Sequence, residues 1–109
     1  MVCHFVRYRG SAADPSAFIA HYRDAYASIL RGFPGIKSLV LHTPAKVRDP
    51  CPVRPGGTAL LAQMIFDNEA ALNAALKSDS RQRARDDFAR FGTFNGEITH
   101  EALAGEVIV

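Results

Sequence analysis

Two helix-like segments, each set between strand-like segments, constrain this chain more than anything else in its sequence. The first runs from Pro15 to about Arg31. In it Phe18, Tyr22, Ala25, Tyr26, Ile29 and Leu30 recur at three- and four-residue steps, the spacing of one buried stripe on an α-helix. Ala20, Arg23, Asp24, Ala27 and Arg31 fall on the opposite side of that wheel. Asp14 is placed to cap the helix. Pro15 suits its first position, where the missing N–H has no intrahelical acceptor, and Pro34-Gly35 ends it. Ahead of this segment VCHFVRYR, residues 2 to 9, interleaves apolar and polar residues as a strand does, and IKSLVLHT, residues 36 to 43, does so after it.

TALLAQMIF, residues 58 to 66, is the most apolar strand and therefore the one expected at the centre of a sheet. Asp67 or Asn68 then caps a short helix, EAALNAALKS, and a second helical stretch from about Ser80 to Phe91 carries Ala84, Phe88 and Phe91 on one side. From about Thr93 the chain reads as one more strand, NGEITHEAL, with the tail GEVIV left to pair elsewhere. The order βαββαβ is the ferredoxin-like α+β arrangement, an antiparallel sheet with helices on one face only. Its other face needs cover. In a single domain of residues 1–109 the simplest cover is a second copy of the same sheet, so a homodimer is expected. Residues 44 to 57, PAKVRDPCPVRPGG, hold four of the six prolines and no apolar period, and read as a long loop over, or against, a neighbouring subunit.

Charge and cysteine usage narrow the function classes. Lys and Arg exceed Asp and Glu by 13 − 11 = +2 with the signs interspersed, so no nucleic-acid partner is expected. Cys3 and Cys51 match no CxxC spacing, and no apolar run approaches the roughly 18 residues of a membrane span. A soluble, cytoplasmic protein without membrane association fits these features.

Several residue groups carry possible chemistry. Tyr22 and Tyr26 share the first helical stripe, with His21 at its edge; rotating the stripe exchanges the places of His21 and Tyr26. His4, His42 and His100 lie on strands. The first and last strands are neighbours in this topology, so His4 and His100 approach one another, but a third ligand is lacking and no metal or cofactor is expected. Of the adjacent pair Asp86 and Asp87 only one can face inward, because successive helical residues point about 100° apart. Arg7 and Arg9 share a face with Cys3 and Phe5 and are expected to meet an anion, by preference on a partner chain. Gly56-Gly57 lacks the Lys and Ser or Thr of a phosphate loop, and Ser11, Ser16 and Ser28 have no nucleophile-elbow context.

Three stretches together resemble one family. FIAHYRDAYASILRGFPGIKSL is similar to an aromatic-rich helix leading through a PG turn into a strand, FDNEAALNAAL to an FD turn into an alanine-leucine helix, and ARDDFARF to a paired-Asp segment closed by Phe. In these the chain resembles the EthD-like family of the dimeric α+β barrel superfamily. The resemblance implies a dimer, a pocket between sheet and helices, and a role in the breakdown of small apolar or aromatic compounds. Where the family commonly has a His on the first helix, this chain has Tyr26, whose phenol titrates near about 10 against about 6.5 for imidazole. A phenol still donates a hydrogen bond to a carbonyl or an oxyanion. The catalytic candidates are thus Tyr26, His21 and Asp87, and the expected ligand-binding residues are Tyr22, Phe18, Phe5 and Phe88. Cofactor-free catalysis, a non-catalytic carrier and a purely structural dimer module all remain open at this level.

Overall fold

In the computed structural model residues 1–51, 54–90 and 93–109 are described. The chain runs through β1 (Val2–Ala12), α1 (Pro15–His21), a π-helical turn (Tyr22–Tyr26) and α2 (Ala27–Leu30). Then follow β2 (Ser38–His42), β3 (Thr58–Phe66), α3 (Glu69–Leu76), α4 (Asp79–Phe88) and β4 (Phe94–Ala104). All pairings are antiparallel and the strands lie in the order β2-β3-β1-β4, so the fold is the ferredoxin-like βαββαβ sheet with its helices on one face.

The alternation along β1 and β3 explains the single helix layer. Val2, Val6 and Tyr8, with Leu60, Ala62, Met64 and Phe66, point to one side and are buried. They meet Phe18, Tyr22, Leu30 and Phe33 from the first helical segment and Leu72, Ala75 and Ala84 from the second. Each fully buried Leu, Met or Phe there contributes about 1.5–3 kcal/mol over an exposed one. The opposite face keeps Phe5, Leu61 and Ile65 only half-buried and Val40 and Leu103 exposed. Arg7 and Arg9 stand on that same uncovered face, Arg9 in register with Glu97.

The helix starts follow the expected caps. Asp14 Oδ1 accepts from Ala17 N at 3.1 Å, with Pro15 in the first turn, and Asn68 rather than Asp67 caps α3, its Oδ1 accepting from Ala71 N at 2.9 Å. Asp67 instead faces Lys37 at 3.5 Å, an exposed pair of small energetic weight.

One expectation about the first helix is corrected. Ala27, assigned to the outer side by a uniform 3.6-residue period, is buried, whereas Ile29 is only half-buried. The cause is the π-helical turn, in which Ala27 N–H donates to Tyr22 O five residues back. The wider turn inserts about one extra residue and swings the following segment round the axis. The inward set becomes Phe18, Tyr22, Tyr26, Ala27 and Leu30.

At the far end of the chain, the tail Gly105–Val109 forms no strand; Gly105 N–H donates to Met1 O, and Val107, Ile108 and Val109 are exposed. In the loop from Pro44 to Gly57, Pro52 and Val53 lie outside the described residues, and the described ones are exposed and without regular structure. Its end is fixed where Gly10 N–H donates to Gly57 O at 3.1 Å.

Gly10 of β1 faces Gly96 of β4, where the two backbones leave no room for a side chain. Both glycines have positive φ, +134° and +149°, and a Cβ on either would run into the opposing backbone at Asn95 O or Arg9 O. Only glycine suits both positions. Gly96→Ala is therefore expected to cost at least about 2 kcal/mol in urea unfolding. An unchanged unfolding midpoint would show that the strands part there without penalty.

Candidate functional site

β4 is an edge strand, and its helix-side residues are less well covered than those of β1 and β3. Ile98 is half-buried and His100 exposed, whereas their β1 neighbours Tyr8 and Val6 are buried. Above this edge lies a pocket of about 410 Å³. Its floor is Tyr8 from β1 with Ile98 and His100 from β4; Tyr26 forms one wall; Arg81, Ala84, Arg85 and Phe88 of α4 form the other. The size lies within the range of small-molecule sites.

Two ties hold α4 across the first helical segment. Near its start Ser80 Oγ donates to Gly32 O at 2.9 Å, and near its end His21 Nε2 donates to Asp87 Oδ2 at 3.0 Å. The Asp87 side chain is only 7% exposed, so its charge is held in a site where an unpartnered carboxylate would be costly. Asp86, one position earlier, turns outward and accepts from Gln82 at 3.0 Å. The inward carboxylate thus meets a histidine of α1 and not Arg83, Arg90 or a cap.

Behind the pocket is a run of aromatic rings. Tyr8 makes edge-to-face contacts with Phe18, Tyr22 and Phe94 at 5.2, 5.9 and 5.6 Å, and Tyr22 lies 4.7 Å from Tyr26. Tyr22 is 1% exposed and packs within this run; Tyr26, 6% exposed, reaches the pocket. Burial pushes the phenols of Tyr8 and Tyr22 far above the usual range. Burial also raises Tyr26; Arg81 opposes this and the charge of Asp87 adds to it, so the phenol is kept protonated.

The expected site residues are thus dispersed over several places. Tyr26 and Phe88 line the pocket, Phe88 at its rim and 41% exposed. His21 and Asp87 form the tie beside it, and Tyr22 is in the ring cluster. Phe18 lines a separate hollow of about 350 Å³ between α1 and the ends of the long loop. Phe5 lies on the uncovered sheet face, across the sheet from the pocket, because odd-numbered positions of β1 point away from the helices. The alternation alone places it there. Phe91, expected on the inner side of the last helix, lies outside the described residues.

Tyr8, Arg81, Arg85 and Ile98 were not among the expected site residues. A signal for two of them exists: Arg81, Ala84, Arg85 and Phe88 stand at i, i+3, i+4 and i+7, the spacing of a single helical face.

His4 and His100 do approach, with ring centroids 5.7 Å apart. His4 is buried and its Nδ1 has no hydrogen-bond partner among the described residues. Burial chiefly, then His100 and Arg81, brings its pKa down to about 4. Burial and the two arginines Arg81 and Arg85 lower that of His100 as well. Among the described residues no group of three or more His, Cys, Asp or Glu is placed to hold a metal ion. Nor does any helix among them have the length and apolarity to cross a membrane.

A ferredoxin-like antiparallel sheet with helices on one face and a pocket under its last helix defines the class of the chain as α+β. Within that class the EthD domain model matches residues 11–94, and the chain belongs to the EthD family. No curated protein matches it. Among solved structures, an ethyl tert-butyl ether D (EthD) family protein of Bacillus halodurans superposes with a TM-score of 0.75 at 19% identity, covering 97% of this chain and 100% of that one. A Streptomyces coelicolor monooxygenase in complex with Nanaomycin D gives a TM-score of 0.68 at 14% identity, over 99% and 89% of the two chains. A dimeric ferredoxin-like protein of unknown function from Thermobifida fusca gives 0.65 at 12%, over 94% and 89%. At these identities the likeness is one of fold.

The buried His4 makes stability depend on pH. Its folded-state pKa lies below the ordinary value of 6.5, so the unfolded chain takes up the proton first. The contribution is complete above about pH 6.5 and declines as pH falls towards 4, by about 3 kcal/mol in all. Histidine ring NMR should show His4 titrating near pH 4, and His4→Phe should remove this part of the pH dependence of urea unfolding. A ring titrating near 6.5 would contradict the assignment.

Proposed function

We propose that the protein acts as a cytoplasmic homodimer that takes a small apolar or aromatic molecule into the pocket between α4 and β4. Tyr26 donates a hydrogen bond to an oxygen of that molecule. The observation that carries this reading is the pocket itself, with Tyr8, Tyr26, Phe88 and Ile98 among its lining residues and a protonated phenol at its side. In the enzymatic form of the reading, Tyr26 polarises the ligand oxygen and the adjoining His21–Asp87 pair moves a proton, without a cofactor, in the breakdown of the compound. The monooxygenase with a bound ligand on the same fold lends this support. A carrier without catalysis is the second reading. It draws on one specific observation: neither His21 nor Asp87 lines the pocket.

The dimer reading rests on the uncovered sheet face, where Phe5, Leu61 and Ile65 would be buried by a second copy, and on the dimeric relative of the same fold. A free Cys3 and Cys51 suit a reducing compartment.

Two experiments test these readings. Native mass spectrometry of freshly purified protein should reveal a small co-purified molecule, and Tyr26→Phe should reduce its turnover by about 100-fold while changing affinity only slightly. Retained turnover favours the carrier, and a protein that never holds a small molecule sinks both forms. In analytical ultracentrifugation the wild type should sediment as a dimer, and Ile65→Lys, which would bury an unpaired ammonium in the contact, should weaken association by at least about 100-fold. A wild-type monomer at micromolar concentration would refute the dimer.

A further inference from the structure

The side of α4 that borders the pocket is unusual. The buried residues of the helix are Ala84 and Asp87, and the positions i, i+3, i+4 and i+7 that line the pocket are Arg81, Ala84, Arg85 and Phe88, with Arg81 half-buried and Arg85 and Phe88 exposed. Both arginines line the pocket one helical turn apart, beside Tyr8, Tyr26, Phe88 and Ile98. No acidic residue lines it with them.

The nearby carboxylates are committed or turned away. Asp87 accepts from His21, Asp86 accepts from Gln82, and Glu97 and Glu101 alternate onto the other face of β4. Among the described residues the ion pairs are His21–Asp87 and Lys37–Asp67, so neither arginine has a carboxylate partner. Two guanidinium groups beside a largely apolar pocket form a site in which a negative charge is compensated and an uncharged end-group is not.

We infer that the ligand of this pocket is a carboxylate anion: an apolar or aromatic body against Tyr8, Tyr26, Phe88 and Ile98, with its carboxylate between Arg81 and Arg85. The inference rests on the pocket reading above and narrows its ligand from apolar molecules in general to apolar acids. Arg81 acts electrostatically on His4, His100 and Tyr26, in keeping with its place on the pocket side of α4.

A matched pair of probes tests it. 1-Naphthoate and 1-naphthamide share a ring body and differ in charge, and their binding is measured by isothermal titration calorimetry at low and at physiological salt. The wild type should prefer naphthoate by about 10-fold, as charge-assisted hydrogen bonds exceed neutral ones. The Arg81→Gln/Arg85→Gln protein should lose that preference while holding naphthamide as before. Arg85→Gln alone, at an exposed position that tolerates change, should lose part of it. Arg83→Gln, on the outer side of the same helix, should keep it all, which separates local contact from net charge. Equal binding of the two probes to the wild type, or a preference that survives in the double variant, overturns the anion inference and leaves the pocket standing. Binding of neither probe overturns both.

Discussion

One helix layer over a four-stranded antiparallel sheet is the constraint from which the rest of this structure follows. β1 and β3 occupy the centre, and their inward residues are buried almost completely, as the energetics of a single core require. β4 completes the sheet at an edge. Phe94 and Ile98 on its inward side pack against the core, but His100 and Ala102 further along are polar or short and offer the helices little to pack against. The layer therefore closes over the middle and leaves space at one side. The pocket is a consequence of where the apolar residues end.

α4 faces two demands at once. It has to stay on the fold, and yet it carries few large apolar side chains with which to do so. Polar contacts make up part of the difference: Ser80 to Gly32 at one end and Asp87 to His21 at the other anchor it, with Ala84 buried between them. These anchors face the first helical segment, so the adjacent face, with Arg81, Arg85 and Phe88, is freed from packing duty and borders the pocket. On this account His21 and Asp87 are what positions the wall.

Much of the fold was legible because it is written in local periodicity. Alternation marked β1, a continuous apolar run marked β3, the period of the first helix marked its stripe, and Asp14 and the pair Asp67-Asn68 announced the helix starts. The π-helical turn was not legible, since Tyr22 to Tyr26 obey an ordinary helical period, and it adds about one residue to the turn. Ala27 was displaced to the inner side for that reason. The site was less legible than the fold. Tyr26 and Phe88 could be reached from stripe arguments, but Phe5 was drawn into the ligand set by being aromatic although its strand parity turns it away. Arg81 and Arg85 look like a solvated helix surface until β4 is known to lie uncovered beneath them. Their significance depends on a contact some fifteen residues further along the chain, beyond the reach of any window of periodicity.

The electrostatics of the pocket would couple an anionic occupant to its walls. Arg81 holds down the basicity of both His4 and His100 and draws Tyr26 towards ionisation, against burial and Asp87. An anion seated beside the arginines offsets their field. Tyr26 then becomes still harder to ionise and remains a donor, while His100, at the open side, becomes easier to protonate. The arginines and the phenol are therefore not separate features of the site. The same positive charge that would hold an acid also bears, beside the larger effect of burial, on how readily the surrounding groups take up or give up a proton.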